Sequence, residues 1–386
     1  MRAIVLGDYE FERIRGPLLR SCERLMVVAN RPPHEDHLAK SIEWTVADLS
    51  ELDVKRLVRR SRPDVVVPHV RGSENEAVIL DFAVSLQNFD CGRNSVHSPA
   101  FAGVCVDKKW LYEFAVRNGI TVPETRVCYS RRELHKAVAA VGGMPVVVKE
   151  RRANSGTGTF LVSDSLGFDV VPDEGFRSGI LVQRLLRGIE IGVEVVSSPR
   201  GHWRFPTCHL GMVGGDVNPL GRVRFAPFNL SASADRQLTA IIDRICRMLR
   251  PNGPWQLDAV MTEGSVHVLE INGRLGGLSN LSMFSSGTDP HRLYCETALG
   301  QLPEQPDERG FVTEFPVPIG FDWDERTHSG VRLKVQPSRS RPSWRMLAAG
   351  LSRDAVLSAV HSIPANSLRQ PELARIESSL EKAQQT

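Results

Sequence analysis

The chain has 386 residues, too many for one ordinary small domain and enough for two or three. Apolar residues make up 41% and charged residues 24%, an ordinary globular composition that argues against a disordered, collagen-like or coiled-coil chain. The 48 basic and 45 acidic residues leave a formal charge of +3, so charge points to neither nucleic acid nor a membrane surface as a partner.

Only 8 of the basic residues are lysines, so a lysine in a suggestive place stands out. No stretch approaches the roughly 18 consecutive apolar residues that a membrane span needs. The N-terminus meets charge too soon for a signal peptide. The seven cysteines are scattered, with no C-x-x-C pair, and a reducing cytoplasm is the expected location.

In chain order, Ala3 to Leu6 is a short apolar run ending at Gly7, and Leu25 to Ala29 is another. Ser50 opens a helical pattern through Leu52, Val54, Leu57 and Val58. Pro63 closes it, and Val65-Val66-Val67 reads as a buried strand. This alternation predicts a parallel α/β unit over residues 1–102. Ser73 and Glu76 form a capping-box pattern. Gly7-Asp8 lacks the G-x-G-x-x-G pattern, so no dinucleotide site is predicted there.

A second unit starts near Val104. Asp107 caps a helix carrying Trp110, Leu111 and Phe114, and Ser130 with Glu133 boxes the next one. Strands are predicted at 146–149, 160–162, 180–183, 189–196 and 203–210, and a helix at about 234–249. Gln256 to Thr262 and Val266 to Ile271 read as a hairpin around Glu263-Gly264-Ser265. The remainder, from about 303, is Pro-rich, then helical near 344–360 and 371–383.

Four segments could carry chemistry. In the hairpin, Glu270 and Asn272 share a face because strand side chains alternate. A three-residue turn pairs Thr262 with Val266 and sets Asp258 opposite Glu270. A two-residue turn puts the two carboxylates on opposite faces. With the first register, Asp258, Glu270 and Asn272 offer hard oxygen ligands suited to Mg²⁺, with Arg274 placed to hold an anion beside them.

Lys149 ends the apolar strand Pro145–Val148, and the loop Asn154-Ser155-Gly156-Thr157-Gly158-Thr159 follows. Its small residues allow backbone N–H groups to approach phosphate oxygens. Lys108 stands near a helix start, where the macrodipole disfavours a cation. The run Leu181 to Glu190 reads strand, connection, strand; its backbone could bond an adenine edge and Glu190 could accept from ribose hydroxyls. Each segment also has an ordinary reading: a polar strand face, a flexible turn, a solvated first turn and a plain connection.

Taken together and in this order, the pieces resemble the ATP-grasp superfamily over about residues 1–300. They run D-K-K-W at 107–110, G-I-T-V-P-E-T at 119–125 and P-V-V-V-K at 145–149. The Gly loop at 154–159, Q-R-L-L-R-G-I-E at 183–190, L-D-A-V at 257–260 and L-E-I-N-G-R at 269–274 complete the set. The resemblance implies an α/β protein, with an N-terminal parallel α/β domain (1–102) followed by a two-lobed ATP-grasp fold (103–302). The small lobe would cover about 103–180 and the large lobe about 181–302. The extension 303–386 would complete the large lobe, cover the site or form a homodimer contact.

It further implies that Lys108 and Lys149 contact ATP phosphates, that Ser155, Gly156 and Gly158 lie in the loop over them, and that Gln183 sits by the adenine amino group. The backbone at Leu185 and Leu186 would bind the ring edge, and Glu190 the ribose. Asp258, Glu270 and Asn272 would hold one or two Mg²⁺ ions, or Mn²⁺, and Arg274 the acyl phosphate or the substrate carboxylate. Arg222 or Arg224 is the candidate for a further cation over the transferred phosphate. The chain departs from frequent family patterns at Glu150, Gln183 and Gln256.

The leading expectation is an ATP-dependent ligase. It activates a small amino-acid-like carboxylate as an acyl phosphate, releases ADP and couples the acid to an amine. Alternatives are another acid or acceptor (bicarbonate, a thiol or a hydroxyl) and a nucleotide-binding protein without turnover. The segments 209–224 and 276–286 are expected to line the acceptor pocket, and His209 and His291 are candidate bases, although a lone histidine is more often packed.

Overall fold

The computed structural model describes residues 1–34, 41–70, 76–87, 93–152, 158–213, 221–321, 325–337, 344–363 and 378. The protein is α/β. Its N-terminal part is a five-stranded parallel sheet. In space the order is Ile42–Val46, Arg24–Ala29, Arg2–Leu6, Val65–Pro68, Arg93–Asn94. Helices Phe11–Ser21, Val54–Ser61 and Glu76–Leu86 connect the strands. Ala3–Leu6 and Val65–Val67 of the inner strands are apolar and buried, as a sheet covered on both faces requires. The predicted Ser73–Glu76 box lies outside the described residues at Ser73.

The chain then enters a four-stranded antiparallel sheet, ordered Thr125–Cys128, Ile180–Arg184, Val146–Glu150, Thr159–Val162. Helix Arg131–Ala140 sets Leu134, Ala137 and Val138 on one face, and these pack with Val146 and Val148. Asp107 caps helix Lys108–Arg117 by accepting from the N–H groups of Lys109 and Trp110. That cap places Lys108 at the first helical position, facing the space between the lobes.

After Arg184 the backbone crosses to a ten-stranded sheet. Strand Gly188–Ser198 lies between Gly253–Thr262 and Cys208–Val213, and Ser265–Asn272 flanks the former. The predicted strand 203–210 is two strands, Gly201–Arg204 and Cys208–Val213. Pro206, which has no N–H for the ladder, stands in the gap.

The chain beyond 303 extends this same sheet. Phe311–Val317 pairs with Arg224–Ala226, then Trp344–Gly350 and Val331–Pro337 follow. The predicted helix at 344–360 is corrected here: Trp344–Gly350 is a strand, and only Arg353–His361 is helical, capped by Ser352. A short apolar run buried on both faces does not reveal its period. The predicted helix 371–383 lies outside the described residues, Ser378 excepted.

The N-terminal sheet is tied to the large one by a shared core. Ile14 and Leu18 of the first helix pack with Leu293, Tyr294 and Ala298 of helix Pro290–Ala298, and with Val196, Trp203 and Phe205. Arg13 adds an ion pair to Asp289 at 2.7 Å across that contact.

Candidate active site

The two antiparallel sheets face each other across a cleft. The small sheet contributes Val147, Lys149, Thr159 and Gln183, and the connection after it contributes Leu185 and Leu186. The large sheet contributes Glu190, Arg224, Gln256, Asp258, Glu270 and Asn272. Lys108 and Arg274 complete the wall. The cleft therefore gathers Lys108, Lys149, Gln183, Leu185, Leu186, Glu190, Arg224, Asp258, Glu270, Asn272 and Arg274. Ser155 and Gly156 lie outside the described residues, as do Gly214, Gly215 and Asn218. Gly158 accepts the Glu150 N–H at 2.8 Å and has φ +62, a backbone state that suits glycine.

The carboxylates meet by a different route from the three-residue turn considered above. The turn has two residues, Glu263 and Gly264, because Thr262 pairs with Ser265. That register continues to Ala259 opposite Val268 and would then oppose Asp258 to Leu269. Instead the ladder skips Leu269 and pairs Asp258 with Glu270. The one-residue bulge restores what the short turn would have lost, and both acids face the cleft.

Asp258 is crowded. Gln256 Nε2 donates to its Oδ1 at 2.7 Å, and Asn272 Nδ2 lies 3.4 Å from its Oδ2. Burial, followed by the Glu270 charge, pushes its carboxyl up to about 8. Lys108 pairs with Glu270 at 3.2 Å. Burial lowers the Lys149 ammonium, the Glu270 charge opposes that, and Lys108 adds to it. Two lysines and two carboxylates thus share one part of the cleft.

Two arginines converge at the far side. A Cβ added to Gly276 would fall 2.9 Å from Arg274 Nη1 and 2.5 Å from Gln256 Oε1. One added to the adjacent Gly277 would fall 3.3 Å from Arg224 Nη1. Both guanidinium groups therefore rest against consecutive glycines. Arg224 is held by the buried Glu314 at 2.5 Å, and Arg222 by Glu190 at 2.5 Å. Arg345, also buried, donates Nη2 to the carbonyls of Arg222 at 2.7 Å and Glu314 at 3.0 Å. Glu314 and Arg345 come from the chain beyond 303 and were missed by sequence reasoning. The available signal was a charged residue alone inside an apolar strand.

Glu194 was also missed. It is fully buried beneath Arg274–Ser279, and its Oε1 accepts from Ser279 Oγ at 2.7 Å and from the Gly276 N–H at 3.2 Å. It thereby fixes the turn on which Arg274 stands.

Neither histidine reaches the cleft. His209 is buried and stacked on Phe225 at 4.5 Å, and burial lowers it to about 4. His291 is buried against His69, ring nitrogens 3.2 Å apart. These two belong to the contact between the N-terminal unit and the large sheet. A small pocket lies there, lined by Tyr9, His69, Phe82, Val96 and Tyr294. Arg274 borders it as well as the main cleft.

The donor set fits a divalent cation. Two cross-strand carboxylates and an amide oxygen are hard ligands, and the strain on Asp258 is the kind that a bound cation relieves. Among the described residues no group of three or more His, Cys, Asp or Glu is placed to hold a metal ion, so the set in the cleft is two carboxylates with an amide. No helix among them is long and apolar enough to cross a membrane.

The model of the ATP-grasp domain matches residues 105–278. The chain is 23% identical over 312 residues to a formate-dependent phosphoribosylglycinamide formyltransferase of Bacteroides fragilis, covering 76% of this chain and 71% of that one. It is 27% identical over 288 residues to a D-alanine–D-alanine ligase of Thermotoga maritima, covering 70% and 86%. It spans 24% of the length of a carbamoyl phosphate synthase large chain from Methanosarcina acetivorans that it also matches. In fold it is similar to an N5-carboxyaminoimidazole ribonucleotide synthetase solved with ADP. The TM-score is 0.74, at 12% identity, over 98% of this chain and 97% of that one. Cleft, motif order and family model agree: residues 105–278 are an ATP-grasp domain.

Proposed function

We propose that the protein is an ADP-forming ligase that joins a small carboxylic acid, amino-acid-like in size, to an amine. The observation that carries this reading is the convergence on one cleft of Lys108 and Lys149, the Asp258–Glu270 pair, and the two arginines against Gly276 and Gly277.

Lys149 and Lys108 neutralise the phosphates of ATP, and removal of water from the cleft strengthens that attraction. Arg274 binds the substrate carboxylate where the main cleft meets the smaller cavity, with Arg224 beside it. A carboxylate oxygen attacks the γ-phosphorus, the bond to the β–γ bridging oxygen breaks, and ADP leaves. The acyl phosphate stays between Arg274 and Arg224. The amine then attacks the acyl carbon, the bond from that carbon to the phosphate oxygen breaks, and the amine's proton leaves with the phosphate. Asp258, Glu270 and Asn272 would hold Mg²⁺, which supplies charge neutralisation at the phosphates when bound. No enzyme nucleophile is required.

Glu270→Ala tests the reading. It removes one of the two cleft carboxylates and the partner of Lys108, so Mg²⁺-dependent ADP release falls at least about a hundredfold. Turnover near that of the unmodified protein would overturn the role given to the carboxylate pair.

A further inference from the structure

Thr125, Gln183 and the carbonyl of Pro123 form a chain of hydrogen bonds at the apolar end of the cleft. Thr125 Oγ1 donates to Pro123 O at 2.8 Å, and Gln183 Nε2 donates to Thr125 Oγ1 at 3.0 Å. Both side chains are buried, and Thr125 lies directly opposite Gln183 in the ladder between their strands.

The direction of this chain follows from chemistry. A carbonyl can only accept, so the Thr125 proton is committed to Pro123. Thr125 then presents a lone pair to Gln183, which must meet it with its NH₂ group. The other end of the amide, Oε1, is left for the cleft that Gln183 lines. The polarity of the glutamine is therefore set two bonds away, by a backbone carbonyl that cannot change role.

The position of Gln183 says what that oxygen meets. Pro123, Val147, Leu185 and Leu186 line the cleft with it, apolar walls suited to a heteroaromatic ring. Gln183 faces Val147 across the ladder, and Lys149 lies two residues further along the same strand on the same face. A base between these walls thus directs its phosphates toward Lys149.

We infer that Thr125 determines nucleotide choice, by fixing Gln183 as an acceptor for the 6-amino group of adenine and against the 6-oxo group of guanine. Rotating the amide to serve guanine would set Oε1 against Thr125 Oγ1. The hydroxyl would have to turn away from Pro123, leaving a buried carbonyl without its partner. The inference rests on the assignment of the cleft to ATP. It is read by binding, so loss of ligase turnover would not touch it.

The test is calorimetric titration of the full chain with ADP, GDP and the diphosphate of purine riboside, which lacks the 6-amino group, each with Mg²⁺. The unmodified protein binds ADP at least about tenfold more tightly than either analogue, as expected for one hydrogen bond gained or opposed. Thr125→Val cuts ADP affinity by about tenfold and brings the ADP-to-GDP ratio near one. Thr125→Ser, which keeps the hydroxyl, restores the ratio. In a Gln183→Glu background both carboxylate oxygens accept, so Thr125→Val leaves the ratio unchanged. Equal binding of ADP and purine riboside diphosphate by the unmodified protein would overturn the inference, as would a Thr125→Val protein that keeps its ADP preference. The first comparison needs no variant to fold.

Discussion

Glu314 gives the sharpest test of how the chain beyond 303 supports the cleft. Its carboxylate is 2% exposed and lies between two guanidinium groups, Arg224 at 2.5 Å and Arg345 at 3.6 Å. Arg345 is already stressed. Burial, and then the Arg224 charge, lowers it to about 9 against the pull of Glu314. Glu314→Gln keeps the shape and removes the charge, leaving two partly or wholly buried cations beside each other. Breaking a buried pair in this way costs about 3–5 kcal/mol. Urea unfolding at pH 7 should show that loss. The double variant Glu314→Gln/Arg345→Met should recover part of it, because one of the two stranded charges is gone. In whatever folded protein remains, KM for the acid should rise more than KM for ATP, since Arg224 is no longer held beside Arg274. A Glu314→Gln protein within about 1 kcal/mol of the original would refute the reasoning, because that is the worth of a solvated surface pair.

Three further outcomes follow from the same geometry. The folded pKa of Asp258, about 8, lies above its unfolded value of about 3.9, so the folded state holds the proton more tightly. Stability of the Mg²⁺-free protein therefore falls as pH rises from about 4 to 8. Asp258→Asn removes this slope and stabilises the protein at pH 8 by a few kcal/mol, measured by urea titration with a chelator. Gly276→Ala, whose methyl would displace Arg274 and Gln256, lowers turnover at least about tenfold with little change in melting temperature, whereas Gly277→Ala is milder. Glu194→Gln weakens the turn beneath Arg274, raising KM for the acid while ADP binding, followed by calorimetry, stays within about twofold.

Much of the fold was legible because it is local. Apolar runs buried on both sides marked the parallel strands, and Asp107 and Ser130 are ordinary helix caps. The lysines and carboxylates of the cleft were legible because each sits in, or at the start of, a recognisable strand or helix. Contacts distant in sequence were not. Glu314 reaches Arg224 across 90 residues, and Arg345 reaches the carbonyl of Arg222 across 123. No local pattern announces such partners. The hairpin shows a subtler limit. Turn length alone gave two registers with opposite consequences, and the one adopted is reached through a bulge at Leu269 that no periodicity predicts. The apolar run 344–350 failed for a related reason, since a strand buried on both faces has no alternation to read.

The central claim is that a substrate carboxylate attacks ATP in this cleft. A screen of ADP release over acids crossed with amines, with mass spectrometry of the products, selects the pair. The decisive measurement then uses that acid labelled with ¹⁸O in its carboxylate. If an acyl phosphate forms, one ¹⁸O passes to inorganic phosphate for each amide made, and ADP is the only nucleotide product. Unlabelled phosphate, or AMP with pyrophosphate in place of ADP, would contradict the account.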